Sequence, residues 1–321
     1  DERGANYEVW VHDTSSGVTT MMARFDLSVT AVTHGPRVTP DGAFVWVAGG
    51  TNGGTHVFER ASGEVVEVHR NIEIDYMRPF PDGVRIAFTS GTALVSDDVN
   101  AADDVYAYDR STGAFERLLE HDPDSGVPRP SSVSDDGRYL ALAVRGSPPL
   151  VLDTSDNSVV TELSASLALE ALEISGDGQW VAYSTSAELV EGDSNGKQDV
   201  FVARLPSADP DGDGADADDG GIVDVEPTVP LSGPGAITRV SVASDGTQGD
   251  GHSVNASISD DGRFVAFDSM ASNLVEGDSG RFPDVFVHDR ETGETTRISQ
   301  VVYGDRVEEG DGGSSHPRIS G

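Results

Sequence analysis

The chain has 321 residues, 36% of them apolar, with 56 acidic residues against 21 basic ones and a formal net charge of −35. A surface this acidic repels nucleic acid and anionic lipid, and no run of eighteen apolar residues is present to insert into a membrane. Cysteine is absent, which excludes disulfides and thiolate chemistry and fits either redox compartment. Lys197 is the only lysine, and the charge suits divalent cations, a high-salt setting or the bias of a GC-rich genome.

The chain opens at Asp1 without a secretory leader, which a trimmed or mature chain would have lost. Its first periodic stretch, YEVWVHDTSSGVTTMMA from Tyr7, reads as two strands around a Ser-Gly turn. From there an Asp-Gly turn followed by an apolar strand recurs at Asp41-Gly42, Asp82-Gly83, Asp136-Gly137, Asp177-Gly178 and Asp261-Gly262. The strands after these turns read AFVWVA, VRIAFTS, RYLALAV, QWVAYST and RFVAFDS. β-branched and aromatic residues dominate them, as a buried pleated surface requires. Each unit adds a second strand signal (THVFER, DVYAYDR, PLVLD, DVFVAR, DVFVHDR) and a further one after a Ser/Thr-Gly turn.

With the short segment before each Asp-Gly, a unit holds four strands. The period of about 40 to 55 residues is that of a β-propeller blade. The last interval is lengthened by an acidic insertion at 206–235, within the fourth full repeat. The two ends complement each other: the stretch from Tyr7 matches DVFVHDRETGETTRIS from Asp284, and HPRISG at the end matches a first strand. We therefore expect an all-β, six-bladed propeller forming a single domain over 1–321, its sixth blade joined from both termini. One strand of that blade is missing after Gly321, so the blade has three strands or the chain continues; the second reading is preferred.

The repeat SISDDGRFVAFDSMASNLVEGD…DVFVHDRETGETTRIS resembles that of TolB-like β-propellers in their secreted bacterial and archaeal form. The similarity is strongest over 170–205 and 236–302. The resemblance implies a scaffold that binds a protein, a carbohydrate or another ligand outside the cytoplasm: periplasmic, extracellular or at the cell surface. It does not imply one activity.

Three loops between the second and third strands align without gaps: LVSDDVNAADDVY, LVEGDSNGKQDVF and LVEGDSGRFPDVF. They place Asp98, Asn100 and Asp104 in register with Asp193, Asn195 and Asp199, and with Asp278, Gly280 and Asp284. Hard cations such as Ca2+ are held by clustered oxygens of this kind, so structural calcium is expected, weakest where Gly280 replaces the amide. The competing reading is that these side chains make Asx-turns without metal. Glu2 and Glu8 take the corresponding places at the N-terminus. In the insertion, Asp209, Asp211, Asp213 and Gly214 match half of an EF-hand loop, but Gly220 stands where a bidentate Glu is needed, so a flexible acidic loop is preferred.

Counting back from each turn gives Arg37, Arg78, Ser132, Glu173, Ser257 and Arg318 at one equivalent position on first strands. Arg37, Arg78 and Arg318, with Glu173, are candidates for binding a carboxylate or phosphate in a central channel. Alternatively they pair with Glu173, Asp75 or carbonyls to satisfy the wall. Ser134, Ser175 and Ser259 read as turn residues and His12 and His288 as repeat positions. No catalytic motif is present. The sequence thus points to a non-enzymatic binding or scaffolding propeller. The alternatives are a calcium-dependent propeller hydrolase or lyase acting at the channel, and a repeat module of a larger surface assembly.

Overall fold

The computed structural model describes residues 6–13, 16–26, 34–39, 42–48, 55–62, 65–69, 74–100, 102–121, 126–144, 146–163, 172–206, 237–278, 281–303, 306–309 and 312–319. The chain divides into two compact units, Asp1–Pro130 and Ser131–Gly321. Glu2, Asp41, Gly280 and the insertion residues Asp209, Asp211, Asp213, Gly214 and Gly220 lie outside the described residues.

The fold is an all-β propeller of four-stranded antiparallel blades. The first blade comprises β3 (His34–Val38), β4 (Phe44–Ala48), β5 (Thr55–Glu59) and β6 (Val65–His69), preceded by a hairpin of β1 (Asn6–Asp13) and β2 (Val18–Asp26). The second contains β7 (Asp75–Pro79), β8 (Arg85–Ser90), β9 (Asp104–Asp109) and β10 (Ala114–Leu119). The third is β11 (Pro128–Val133), β12 (Tyr139–Val144), β13 (Leu150–Asp153) and β14 (Ser158–Glu162). The fourth is β15 (Leu172–Ile174), β16 (Trp180–Thr185), β17 (Asp199–Arg204) and β18 (Ile237–Arg239). The fifth is β19 (Ser253–Ile258), β20 (Phe264–Ser269), β21 (Asp284–Asp289) and β22 (Thr295–Arg297). A second hairpin, β23 (Gln300–Tyr303) with β24 (Arg306–Glu309), follows; nothing in the repeat pattern announces it.

Among the described residues there are five four-stranded blades, not the six expected. The β1–β2 hairpin keeps the third-and-fourth-strand character of a blade, down to a His12–Thr19 pair matching His288–Thr295. Among the described residues it pairs only with itself, and Trp10 is 54% exposed where the equivalent Phe286 is 0%. The segment 312–319 is not a strand. Its backbone instead hangs from the fifth blade by two side-chain bonds, Ile319 N–H to Ser257 Oγ and His316 N–H to Asp268 Oδ1, each 3.1 Å. A four-stranded sheet needs a ladder on both sides of the third strand, and none forms on the free side of β1 among the described residues.

The Asp-Gly turns are built alike. In each, the glycine N–H donates to the carbonyl three residues back and takes a positive φ, as at Gly178 (70°) and Gly262 (71°). Ser134, Ser175 and Ser259 donate their hydroxyls to Asp136, Asp177 and Asp261 at 2.6, 2.5 and 2.6 Å. The same oxygens accept the backbone N–H of Tyr139, Trp180 and Phe264. These serines are turn residues, as expected.

The core lies between blade faces. Tyr139, Ala141, Leu172, Val181, Tyr183 and Phe201 pack the third blade on the fourth, and Ala182, Val202, Ala256, Val265 and Phe267 the fourth on the fifth. In the first unit, Trp46, Val57, Met77, Ile86 and Phe88 join the first two blades. Burying each large apolar side chain contributes about 1.5–3 kcal/mol. A repeated contact adds to this. A Cβ on turn Gly83, Gly178 or Gly262 would lie 2.5, 2.8 or 2.2 Å from the ring of Phe44, Tyr139 or Trp180 in the preceding blade. Only glycine admits that approach.

Candidate functional site

The three Asp-rich loops lead into β9, β17 and β21, and their closing residues Asp104, Asp199 and Asp284 are the first residues of those strands. All three are buried, as are Asp98 and Asp193, and the Asp278 side chain is 1% exposed. A buried carboxylate must be hydrogen-bonded or paired with a cation.

In the second blade, Asp104 accepts from Asn100 Nδ2 at 3.1 Å, from His121 N–H at 2.8 Å and from Arg117 at 3.4 Å. Arg117 also reaches Asp97 at 3.1 Å, while Asp98 accepts the Tyr106 hydroxyl, whose pKa burial and that carboxylate raise well above its usual value. In the fourth blade, Gln248 Nε2 lies between the two carboxylates, 2.9 Å from Asp193 and 2.9 Å from Asp199. Ser241 donates to Asp199 at 2.6 Å, and Arg239 approaches Asp193 at 3.5 Å. Burial holds the Asp199 carboxyl above the usual carboxylate range, against the pull of Ser241 and Gln248. In the fifth, Arg297 is shared between Asp278 at 3.8 Å and Asp284 at 3.9 Å, and Ser299 donates to Asp284 at 2.6 Å.

The structure therefore joins Asp193 to Asp199 through Gln248 and Asp278 to Asp284 through Arg297, while Asp98 and Asp104 have separate partners. The amides make the turns of the competing reading. Asn100 Oδ1 accepts Ala102 N–H at 3.0 Å and Asn195 Oδ1 accepts Lys197 N–H at 2.7 Å, both Asx-turns. Their Nδ2 groups tie the loops to the His121 and Gly249 carbonyls. Calcium takes six to eight oxygens at 2.3–2.6 Å. Each loop sets a guanidinium beside its carboxylates, a positive charge that opposes a cation at the same place. Among the described residues, no group of three or more His, Cys, Asp or Glu is placed to hold a metal. At the N-terminus, Glu8 accepts from the Trp10 indole at 3.1 Å.

The second candidate set lies on first strands. In the first unit, Arg37 on β3 and Arg78 on β7 are half-buried on strands that pack together, and Arg78 donates to Met77 O at 3.0 Å. Arg129 on β11, missed in the sequence, stacks over Tyr76 with its guanidinium carbon 4.1 Å from the ring centroid. Tyr76 takes φ 53°, and Asn255 and His316, at the same repeat position, take 57°. The shared conformation marks a bulge in β7 and β19, where the register shifts. In the second unit, Arg318 pairs with Glu173 at 3.7 Å, the wall-satisfying arrangement. Ser132 and Ser257, at the equivalent position, each accept the N–H of the next first segment, from Ile174 and Ile319 at 3.1 Å.

No protein-family profile matches the sequence, and no curated protein matches it. Among solved structures, TolB from Acinetobacter baumannii aligns with a TM-score of 0.50 at 14% identity, over 97% of this chain and 62% of that one. A putative TolB from Agrobacterium tumefaciens aligns with a TM-score of 0.50 at 12% identity, over 90% and 87% of the two chains. The fold is TolB-like. The chain spans less than two thirds of the length of the Acinetobacter protein. No helix of the described residues is long and apolar enough to cross a membrane.

Proposed function

We propose that the protein is a non-enzymatic, protein-binding TolB-like propeller that works outside the cytoplasm. The observation that carries this reading is the placement of Arg37 and Arg78. They occupy one repeat position on neighbouring strands of adjacent blades, in a chain of net charge −35. Guanidiniums grouped on so acidic a surface favour a partner with clustered carboxylates, which an arginine fork can bind in pairs. The TolB-like fold supports a binding role. Ser134, Ser175 and Ser259 hold turns, and Asp199 is bonded to Ser241 and Gln248. Calcium stabilisation, expected from the sequence, does not enter this proposal, because a guanidinium already lies beside each carboxylate pair.

The test is the fluorescence anisotropy of a labelled glutamate-rich peptide, titrated with the protein and with the Arg37→Gln/Arg78→Gln variant. A loss of about tenfold or more in affinity, roughly 1.4 kcal/mol, is expected for the variant. Equal affinities, or no binding by the unsubstituted protein, overturn the reading. Cell fractionation tests the location separately.

A further inference from the structure

The three arginines beside the carboxylate pairs come from different stretches of sequence but from one place in the blade. Arg117, Arg239 and Arg297 all stand on the fourth strand, opposite Tyr106, Phe201 and Phe286, the third residue of each third strand. The same register position is defined in the remaining two blades. It lies three residues before the closing residue of the third strand, which pairs with Phe44 in the first blade and Tyr139 in the third. There the opposing fourth-strand residues are Glu67, across from His56, and Glu162, across from Leu150. The loops of those two blades read GGTNGG (49–54) and RGSPP (145–149), without an aspartate. In all five blades the fourth-strand residue follows the loop: arginine where two carboxylates are present, glutamate where there are none.

We propose that this arginine is the permanent cation of the loop. It supplies beside the carboxylates the positive charge that a divalent ion would otherwise bring, and removing it opens the loop to calcium. The guanidiniums are nearly buried, with 13%, 10% and 8% of their side chains exposed, and each lies 3.4–3.9 Å from a carboxylate of its own loop. Two carboxylates confined to one buried space repel each other and need a positive charge. A side chain anchored in the ladder supplies it at no cost in ion binding and is not lost to chelators. Without the guanidinium, the pair Asp193 and Asp199 or Asp278 and Asp284 would be left with vacated volume beside it, open to water and to a hard cation.

The test uses thermal melting and calorimetric titration with CaCl2 at low ionic strength on the protein and on Arg239→Ala. The unsubstituted protein should keep one midpoint in EDTA and in excess calcium, with no titration heat from these loops. Arg239→Ala should melt lower in EDTA, recover several degrees in calcium and show one new binding event. If Arg239→Ala does not fold, Arg239→Gln/Asp199→Asn serves instead: with one carboxylate neutralised, it should fold and ignore calcium. The idea is overturned by a midpoint of the unsubstituted protein that falls in EDTA, by an Arg239→Ala variant that calcium does not raise, or by failure of the double variant to regain stability.

Discussion

The guanidinium carbon of Arg290 lies 3.8 Å from the centroid of the Trp180 ring, in the neighbouring blade, while its Nη1 donates to the carbonyl of Gly262 at 2.5 Å. The indole thus packs against both a cation and the turn glycine that the cation binds. Arg110 repeats this with Phe44 and Gly83, at 4.2 Å from the ring and 3.1 Å from the carbonyl. Arg290→Ala removes a largely desolvated cation–π contact and a hydrogen bond, and should cost about 2–3 kcal/mol in urea unfolding. Gly262→Ala should cost about 2–5 kcal/mol, since its Cβ would meet the indole at 2.2 Å in a backbone of φ 71°. A Gly262→Ala protein as stable as the parent would show that the blade contact is not formed in solution.

The turn serines carry a second expectation. Each hydroxyl donates to the turn aspartate and accepts a backbone N–H, so alanine leaves that N–H without its partner. Ser259→Ala and Ser175→Ala should each lose about 1–3 kcal/mol. Any effect on ligand binding as large as the effect on stability would count against their structural role.

Buried His288 should make the protein acid-sensitive. Thr295 gives its hydroxyl proton to Val242 O at 2.6 Å, so His288 Nδ1 is the donor to Thr295 Oγ1 at 2.9 Å. Burial pushes its pKa below 6.5, only partly opposed by Asp289. A group whose folded pKa is depressed below its unfolded one leaves the folded state with fewer protons. The stability it gives is whole above pH 6.5 and declines as the pH falls from there towards the folded value. His288→Asn should flatten this part of the stability profile, measured by urea midpoints across the range. A parallel profile for both proteins would sink the assignment.

Asp199 acts in the opposite sense. Its carboxyl is held above 3.8 by burial, so the penalty for its charge is absent below that pH and complete once the pH has risen past the folded value. Asp199→Asn should gain relative stability as pH rises from 4 towards neutrality, if the amide keeps the Ser241 bond. A difference between the two proteins that does not change with pH would refute it.

The blade architecture was readable because its signals are local. An Asp-Gly turn, a serine two residues earlier and an alternating strand fall within about a dozen residues, and the turns recur often enough to define a period. The aspartate pairs were legible for the same reason. What joins them was not, because the partner is a strand away. Asp104 to Arg117 and Asp284 to Arg297 cover equal lengths of chain, but the acidic insertion at 206–235 separates Asp199 from Arg239 and hides the third copy. The recurring T-R-V/I-S of TRVS and TTRIS was the available signal. The sixth blade was over-read: the matching residues at both ends do carry the character of blade strands, yet sequence likeness cannot supply the ladder bonds that a sheet requires.

The aromatic-on-glycine contact gives every coupled blade a front and a back. Phe44, Tyr139 and Trp180 face forward, and the glycines of Gly83, Gly178 and Gly262 receive them from behind. Parts with one kind of socket and one kind of plug can be duplicated, deleted or exchanged without redesigning their neighbours. A blade that carries both parts, as the fourth does with Gly178 and Trp180, brings its half of two junctions when a gene duplication copies it.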